Sequence, residues 1–288
     1  MPTTRRFAVA TTVIAICTMT VLTACSGGSS SSSGQGIIEK AKTTGTLTIG
    51  VKSDQPGLSL KTGDNYEGFD INIAKILAKG LGVKAENSQW KTTVSINRKP
   101  FIEQGVVDLV VATYTINDKR KNVVSFGGPY YVAGQALLVD KDSPIAAPGQ
   151  MDGQVACSVV GSSSASNMEK SYPNVQLQLF DSYSKCVTAL SGSGVQAVTT
   201  DNIILAGYAA QPHNVGKFKI PGEPFTTEPY GVGLKKSDVA GCNKVNEILA
   251  ASAADGSYKA AYEQALGDSG LPFTPLDTSL LTNCPKGV

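Results

Sequence analysis

The stretch DLVVATYTINDKRKNVVSFGGPYY, residues 108–131, constrains the chain more than any other. It begins within a valine-rich apolar run, residues 106–112, interrupted only by Asp108. Such a run suits a strand buried on both faces of a mostly parallel sheet, the mark of an α/β architecture. It ends in Thr113-Tyr114-Thr115, which sets hydroxyls and backbone N–H groups at the strand's carboxyl end. Asn117 can then cap a short helix whose third position is Arg120. Ligands of open α/β sheets bind beyond the carboxyl ends of strands, where helix N-termini attract anions. A guanidinium there, beside hydroxyl donors, can hold a carboxylate by two parallel hydrogen bonds. A solvated helix carrying Lys119, Arg120 and Lys121 is the competing reading, and the stretch by itself leaves both open.

The series Ala112-Thr113-Tyr114-Thr115-Ile116-Asn117-Asp118-Lys119-Arg120, followed by Phe126 and Pro129-Tyr130-Tyr131, resembles the family 3 extracellular solute-binding proteins. These are the polar amino-acid receptors of bacterial ABC importers. A second block, from Gly68-Phe69-Asp70-Ile71 to Ala78, resembles that family's best-known motif, and departs from it at Asn72, where the family usually has an acid. The likeness runs over residues 47–267 in the expected order and is greatest to the glutamate-binding lipoproteins of Gram-positive bacteria. It implies a two-lobed, periplasmic-binding-protein-like (type II) α/β fold, with a ligand cleft between lobes joined by two hinge strands.

The N-terminus reads as an export signal. Arg5 and Arg6 precede an apolar stretch over residues 7–22, and Leu22-Thr23-Ala24-Cys25 resembles a lipobox, at which bacterial lipoproteins are cleaved and the cysteine lipidated. The secretory route is favoured over a twin-arginine one. An uncleaved membrane helix is the rival; the threonines within the stretch and the flexible segment after it argue against that. Residues 25–36 are a Ser/Gly leash. The domain reading is therefore 1–24 signal, 25–36 lipidated cysteine and linker, 37–134 with 229–288 lobe 1, and 135–228 lobe 2. The protein is expected outside the cell membrane, held by a lipid on Cys25, and monomeric.

Arg5 and Arg6 are the only charged residues before Cys25, so the remaining chain carries 25 − 2 = 23 basic against 23 acidic residues. That balance excludes a basic nucleic-acid footprint. Apolar residues make up 41% and charged ones 17%, which excludes extensive disorder outside the leash. Enzyme readings lack their parts. The single histidine, His213, has no nucleophile–acid set around it, and no Gly-x-Ser-x-Gly occurs. Gly161-Ser162-Ser163-Ser164 lacks the Gly-Lys-Ser/Thr ending of a phosphate loop. No metal or other cofactor is expected.

Along the chain, residues 47–51 read as the first strand, and Asp70 as the cap of a helix beginning at Ile71. A helix is predicted over residues 101–104 and a single strand over 131–139, the first crossing between lobes. Residues 154–160 are a strand leading to the glycine–serine turn at 161–164, a helix N-terminus that presents N–H groups and hydroxyls. Helices follow at 183–191 and 203–210, the latter with Asp201 as a possible cap. A strand at 229–234 returns to lobe 1, where helices at 239–252 and 257–266 pack.

Cys157, Cys186, Cys242 and Cys284 are an even number in an oxidising compartment and allow three connectivities. The pairs 157–186 and 242–284 each stay within one proposed lobe and are chosen on that ground. Zinc is a poor alternative, since no C-x-x-C spacing exists.

The resemblance also implies the ligand set. It puts an α-carboxylate on Arg120, Thr115 and Thr113 from lobe 1 and on Ser162 and Ser163 from lobe 2. It puts the ammonium on Asp201, with Thr113 as a hydroxyl acceptor. The side chain of the ligand falls to Lys52, Arg98 and Ser95. Lys52 stands where the acidic-amino-acid receptors of the family carry a base. Two cations facing a neutral amide would leave buried charge unpaired, whereas a carboxylate resolves it. The expected function is an ABC-importer receptor that binds L-glutamate or aspartate and delivers it to membrane permease subunits. The alternatives are a receptor of broader specificity, for glutamine or asparagine, and an amino-acid-sensing lipoprotein that signals to a membrane partner.

Overall fold

The computed structural model describes residues 35–285; the expected signal 1–24, the lipidation site Cys25 and most of the linker lie outside them. The chain starts with α1 (Ile37–Thr44) and β1 (Leu47–Val51), then a small three-stranded meander of β2 (Asp54–Gln55), β3 (Ser59–Thr62) and β4 (Asn65–Glu67). Next come α2 (Phe69–Gly80), β5 (Ser88–Thr92), α3 (Arg98–Glu103), β6 (Leu109–Val110), α4 (Asp118–Lys121) and β7 (Val124–Ala133). A second group follows: β8 (Gln135–Asp140), β9 (Val155–Val159), α5 (Ser163–Ser171), β10 (Gln176–Phe180), α6 (Tyr183–Ser191), β11 (Ala197–Asp201), α7 (Asn202–Ala209) and β12 (Phe218–Lys219). The chain ends with β13 (Glu228–Lys235), α8 (Val239–Ala254) and α9 (Ser257–Leu266).

Two five-stranded sheets result, ordered β5-β1-β6-β13-β7 and β10-β9-β11-β8-β12, and each is the centre of one α/β lobe. In each, three strands run parallel: β5, β1 and β6 in the first, β10, β9 and β11 in the second. β13 is antiparallel to β6 and β7, and β8 is antiparallel to β11 and β12. The crossings between lobes lie at β7–β8 and just before β13. The fold is therefore the mixed α/β, two-lobed one expected.

The first crossing corrects the single strand predicted over 131–139. The chain breaks at Gly134, so that residues to Ala133 belong to one sheet and those from Gln135 to the other. A Cβ on Gly134 would stand 2.5 Å from Pro224 Cβ and 2.7 Å from the Thr226 carbonyl of the other crossing. The two crossings thus pass too close for a side chain. Apart from Val132 the residues on both sides of Gly134 are buried, and Val132 is itself apolar, which is why the apolar pattern shows no seam.

α2 is amphipathic as predicted, with Phe69, Ile71, Ile73, Ala74, Leu77 and Ala78 buried. It starts at Phe69 rather than Ile71, and Asp70 is no cap. Gly68 takes that place at φ 120°, pressed against the Leu58 backbone, where only glycine fits. α3 also starts earlier than predicted, at Arg98; Pro100 lies in its first turn, where the missing N–H is no loss. The strand predicted over 106–112 shrinks to two residues. Asp108 instead turns its carboxylate onto Lys40 Nζ at 2.7 Å and the Thr48 N–H at 2.7 Å.

Both expected disulfides are present. Cys157–Cys186 ties β9 to α6, and Cys242–Cys284 ties α8 to the C-terminal tail, 42 residues on. Cross-links of this kind stabilise by about 2–4 kcal/mol, chiefly by restricting the unfolded chain. A reductant should therefore lower the urea midpoint of unfolding clearly; an unchanged midpoint with both bridges open would contradict this.

Candidate functional site

The carboxyl ends of β1 and β6 and the N-terminus of α4 bring three cations together. Lys52 follows β1, is 4% exposed, and donates from Nζ to Ser95 Oγ at 2.7 Å. Arg98, 3% exposed, spends its guanidinium on backbone carbonyls: Nε to Ser95 at 3.2 Å, and Nη1 to Ala112 at 3.0 Å and Thr113 at 2.9 Å. Arg120 sits at the third position of α4, where the Asn117 side chain caps its N–H at 2.9 Å, and donates from Nη1 to the Thr115 carbonyl at 2.7 Å. Both guanidinium groups lie on the ring of Tyr114, at 4.3 and 4.8 Å from its centroid.

Among the described residues, none of the three comes within 4.0 Å of a carboxylate. Burial, and then the charge of Arg98, hold the Lys52 ammonium well below the ordinary lysine range. Burial, and then Arg120, push Arg98 down to about 10, and burial lowers Arg120 as well. This is a region of concentrated positive charge with no direct ion pair among the described residues.

Two carboxylates face it from behind. Asp70, fully buried, accepts from the Thr113 N–H at 2.9 Å and from Tyr130 Oη at 2.8 Å. Asp201, 3% exposed at the end of β11, accepts from Tyr230 Oη at 2.6 Å, a contact from one lobe to the other. Burial pushes both carboxyls up to about 7; for Asp201 the next cause is Glu228. Asp201 makes no side-chain cap bond to α7, so the capping reading is corrected and the carboxylate is left to the cleft. Thr113 joins the two charge zones. Its φ of 45°, in the left-handed region that β-branched residues avoid, turns its N–H to Asp70 and its carbonyl to Arg98.

The second lobe contributes residues 161–164. Ser162 caps α5, accepting from the Ala165 N–H at 3.0 Å. Ser163 Oγ meets Thr115 Oγ1 across the cleft at 3.0 Å. The Gly161 carbonyl accepts from Arg98 Nη2 at 3.4 Å and from Arg120 Nη2 at 3.2 Å. Lys52, Ser95, Arg98, Thr113, Thr115, Arg120, Ser162, Ser163 and Asp201 therefore line one junction between the lobes. The sequence reading missed Asp70, Tyr130, Tyr230 and Thr200. Thr200 Oγ1 is buried with no hydrogen-bond partner, as is Gln55 Nε2. A hydroxyl directly before Asp201 at a strand end was the available signal for Thr200.

Residues 47–268 match the family model of bacterial extracellular solute-binding proteins, family 3. The chain is 40% identical to the glutamate-binding protein GluB of Corynebacterium efficiens, over 96% of this chain and 97% of that one. It is 35% identical to the glutamine-binding protein GlnH of an ABC transporter of Bacillus subtilis, over 88% and 94%. Among solved structures, an ancestral arginine-binding protein bound to glutamine is similar, with a TM-score of 0.72 and 34% identity over 77% of this chain and 98% of that one. A converging set of charged and hydroxyl side chains between two α/β lobes, in a chain matched over most of its length, has one family assignment: the protein belongs to the bacterial extracellular solute-binding proteins of family 3.

Proposed function

We propose that the protein is the receptor of an ABC importer, anchored outside the cell membrane through lipid on Cys25, that binds L-glutamate and passes it to the permease. The observation that carries the ligand is the pair Lys52 and Arg98, both buried and neither with a carboxylate partner. Buried cations of this kind are costly unless an anion completes them. A zwitterionic amino acid with a second carboxylate supplies that anion, and the glutamate-binding relative at 40% identity supports the choice. Glutamine is the second reading, favoured by the relative at 35%.

In this reading the α-carboxylate lies on Arg120, Thr115 and Ser163, with Ser162 holding the loop through its cap, while the Thr113 N–H stays on Asp70. The ammonium lies on Asp201, with Thr113 beside it. The distal carboxylate lies on Lys52 and Ser95, and Arg98 adds charge while fixing the loop carbonyls. Calorimetric titration of the purified protein with each of the twenty amino acids tests this. Glutamate should bind tightest; a tighter neutral or basic amino acid would overturn the assignment.

A pH dependence follows from Asp201. Burial raises its carboxyl to about 7. An ammonium beside it favours the ionised form, so binding releases a proton near that pH and affinity falls as the pH drops below it. Glutamine, whose side chain carries no charge, isolates the effect. It should bind roughly 10–30 times more weakly at pH 5.5 than at pH 8. An affinity flat across that range would remove Asp201 as the ammonium partner.

A further inference from the structure

Asp54 lies in β2, outside the residues assigned to the ligand, and reaches into the other lobe. Its Oδ2 accepts from the Ser184 N–H at 3.3 Å, from Ser184 Oγ at 3.3 Å and from Tyr208 Oη at 3.2 Å; Tyr208 Oη also donates to the Asp54 carbonyl. Ser184 is the second residue of α6. The helix's own cap residue, Ser182, has the extended backbone of a cap and a suitable side chain, but makes no side-chain cap bond. One free N–H of that helix start, that of Ser184, is thus met by a carboxylate from the opposite lobe, where a negative charge also suits the helix dipole. Close packing accompanies the contact: a Cβ on Gly207, beside Tyr208, would overlap the Pro56 carbonyl. α6 is itself bonded covalently to β9, whose end leads into residues 161–164.

We propose that Asp54 is a latch that caps α6 across the cleft and so holds the closed arrangement, acting on closure and not on the ligand. This rests on the reading that the cleft closes over an amino acid. As a cap available only when the lobes meet, Asp54 adds to the stability of the closed form whichever ligand is inside. A ligand contact would instead favour one amino acid over another.

The test uses Asp54→Ala, Asp54→Asn and Tyr208→Phe in the full mature protein, with affinities and dissociation rates for glutamate and for glutamine. Asp54→Ala should weaken both ligands by the same factor, about tenfold, almost wholly through faster dissociation. Asn caps helices about as well as Asp, so Asp54→Asn should stay within about threefold of the parent. Tyr208→Phe should give a smaller loss common to both ligands. Affinity of Asp54→Ala within twofold of the parent would overturn the proposal, as would unequal losses for the two ligands or a loss carried by slower association. If Asp54→Ala does not fold, an unchanged affinity in Tyr208→Phe overturns it. Amide exchange on protein saturated with whichever amino acid binds separates this from the ligand assignment: the Ser184 N–H should exchange faster in Asp54→Ala or, if that variant does not fold, in Tyr208→Phe, and unchanged exchange would sink the latch even if glutamate binds as expected.

Discussion

Lys52→Met is expected to weaken glutamate binding by about thirtyfold or more while affecting glutamine far less. Lys52 is buried, donates only to Ser95 Oγ among the described residues, and has no described carboxylate within 4.0 Å. Removing one partner of a buried charged pair costs about 2–5 kcal/mol, and the low end is already a factor of about thirty. Methionine keeps the length and apolar stem of lysine, so the cleft keeps its shape. Glutamine has no distal charge to lose. Burial and then Arg98 depress the Lys52 ammonium, and a carboxylate placed against it favours the charged form. Arg120→Met is the internal control, since every amino acid offers the same α-carboxylate and both ligands should suffer alike. Titrating both ligands into both variants decides the matter. Equal losses in Lys52→Met would end the glutamate assignment and leave the broader amino-acid reading standing.

Gly161→Ala should reduce affinity for every ligand, on the order of a hundredfold, by preventing closure. Gly161 has φ 79°, and a Cβ there would stand 2.7 Å from Cα and 2.9 Å from N of Ile96 in the other lobe. Those are backbone atoms and cannot rotate away as a flexible side chain would. The left-handed conformation adds about 1–2 kcal/mol for any L side chain. Displacement of the loop would also remove the one carbonyl that Arg98 and Arg120 share. Scattering from the ligand-saturated variant should remain that of an extended molecule. A compact variant that binds within threefold of the parent would refute the effect.

How legible the molecule was depends on whether the signal was local. α6 and α9 occur over the predicted residues because turn residues and apolar spacing within each segment define them. Arg120 was readable for the same reason: Asn117 three positions earlier sets the cap and with it the direction of the helix. Asp70 reads as a cap, and Asp201 keeps capping as a rival to its ammonium role, because an aspartate before a helix looks the same whether it turns to its own backbone or to a distant tyrosine. Tyr130 and Tyr230, 60 and 29 positions away in the chain, decide it. The break at Gly134 was invisible because both sides of it, Val132 apart, are buried, in different sheets. Lys52 and Arg98 came from family likeness alone. No spacing in the chain announces that residues 46 apart stand on either side of Ser95 Oγ and its carbonyl.

The position of β13 bears on how the chain reaches this structure. It lies inside the first sheet, between β6 and β7, yet comes from residues 228–235, after the whole second sheet has been made. The second sheet draws all its strands from the continuous stretch 135–219 and can assemble from that stretch alone. The first lobe cannot complete its sheet until a strand about a hundred residues beyond β7 arrives, and loop closure over such a separation is slow. Folding should therefore run against the order of synthesis, with the inserted lobe first and the lobe that begins the chain last. An intermediate with an ordered second lobe and an unpaired β6–β7 gap exposes two strand edges to other chains. Refolding yield should accordingly fall as protein concentration rises, even though both disulfides join residues within single lobes.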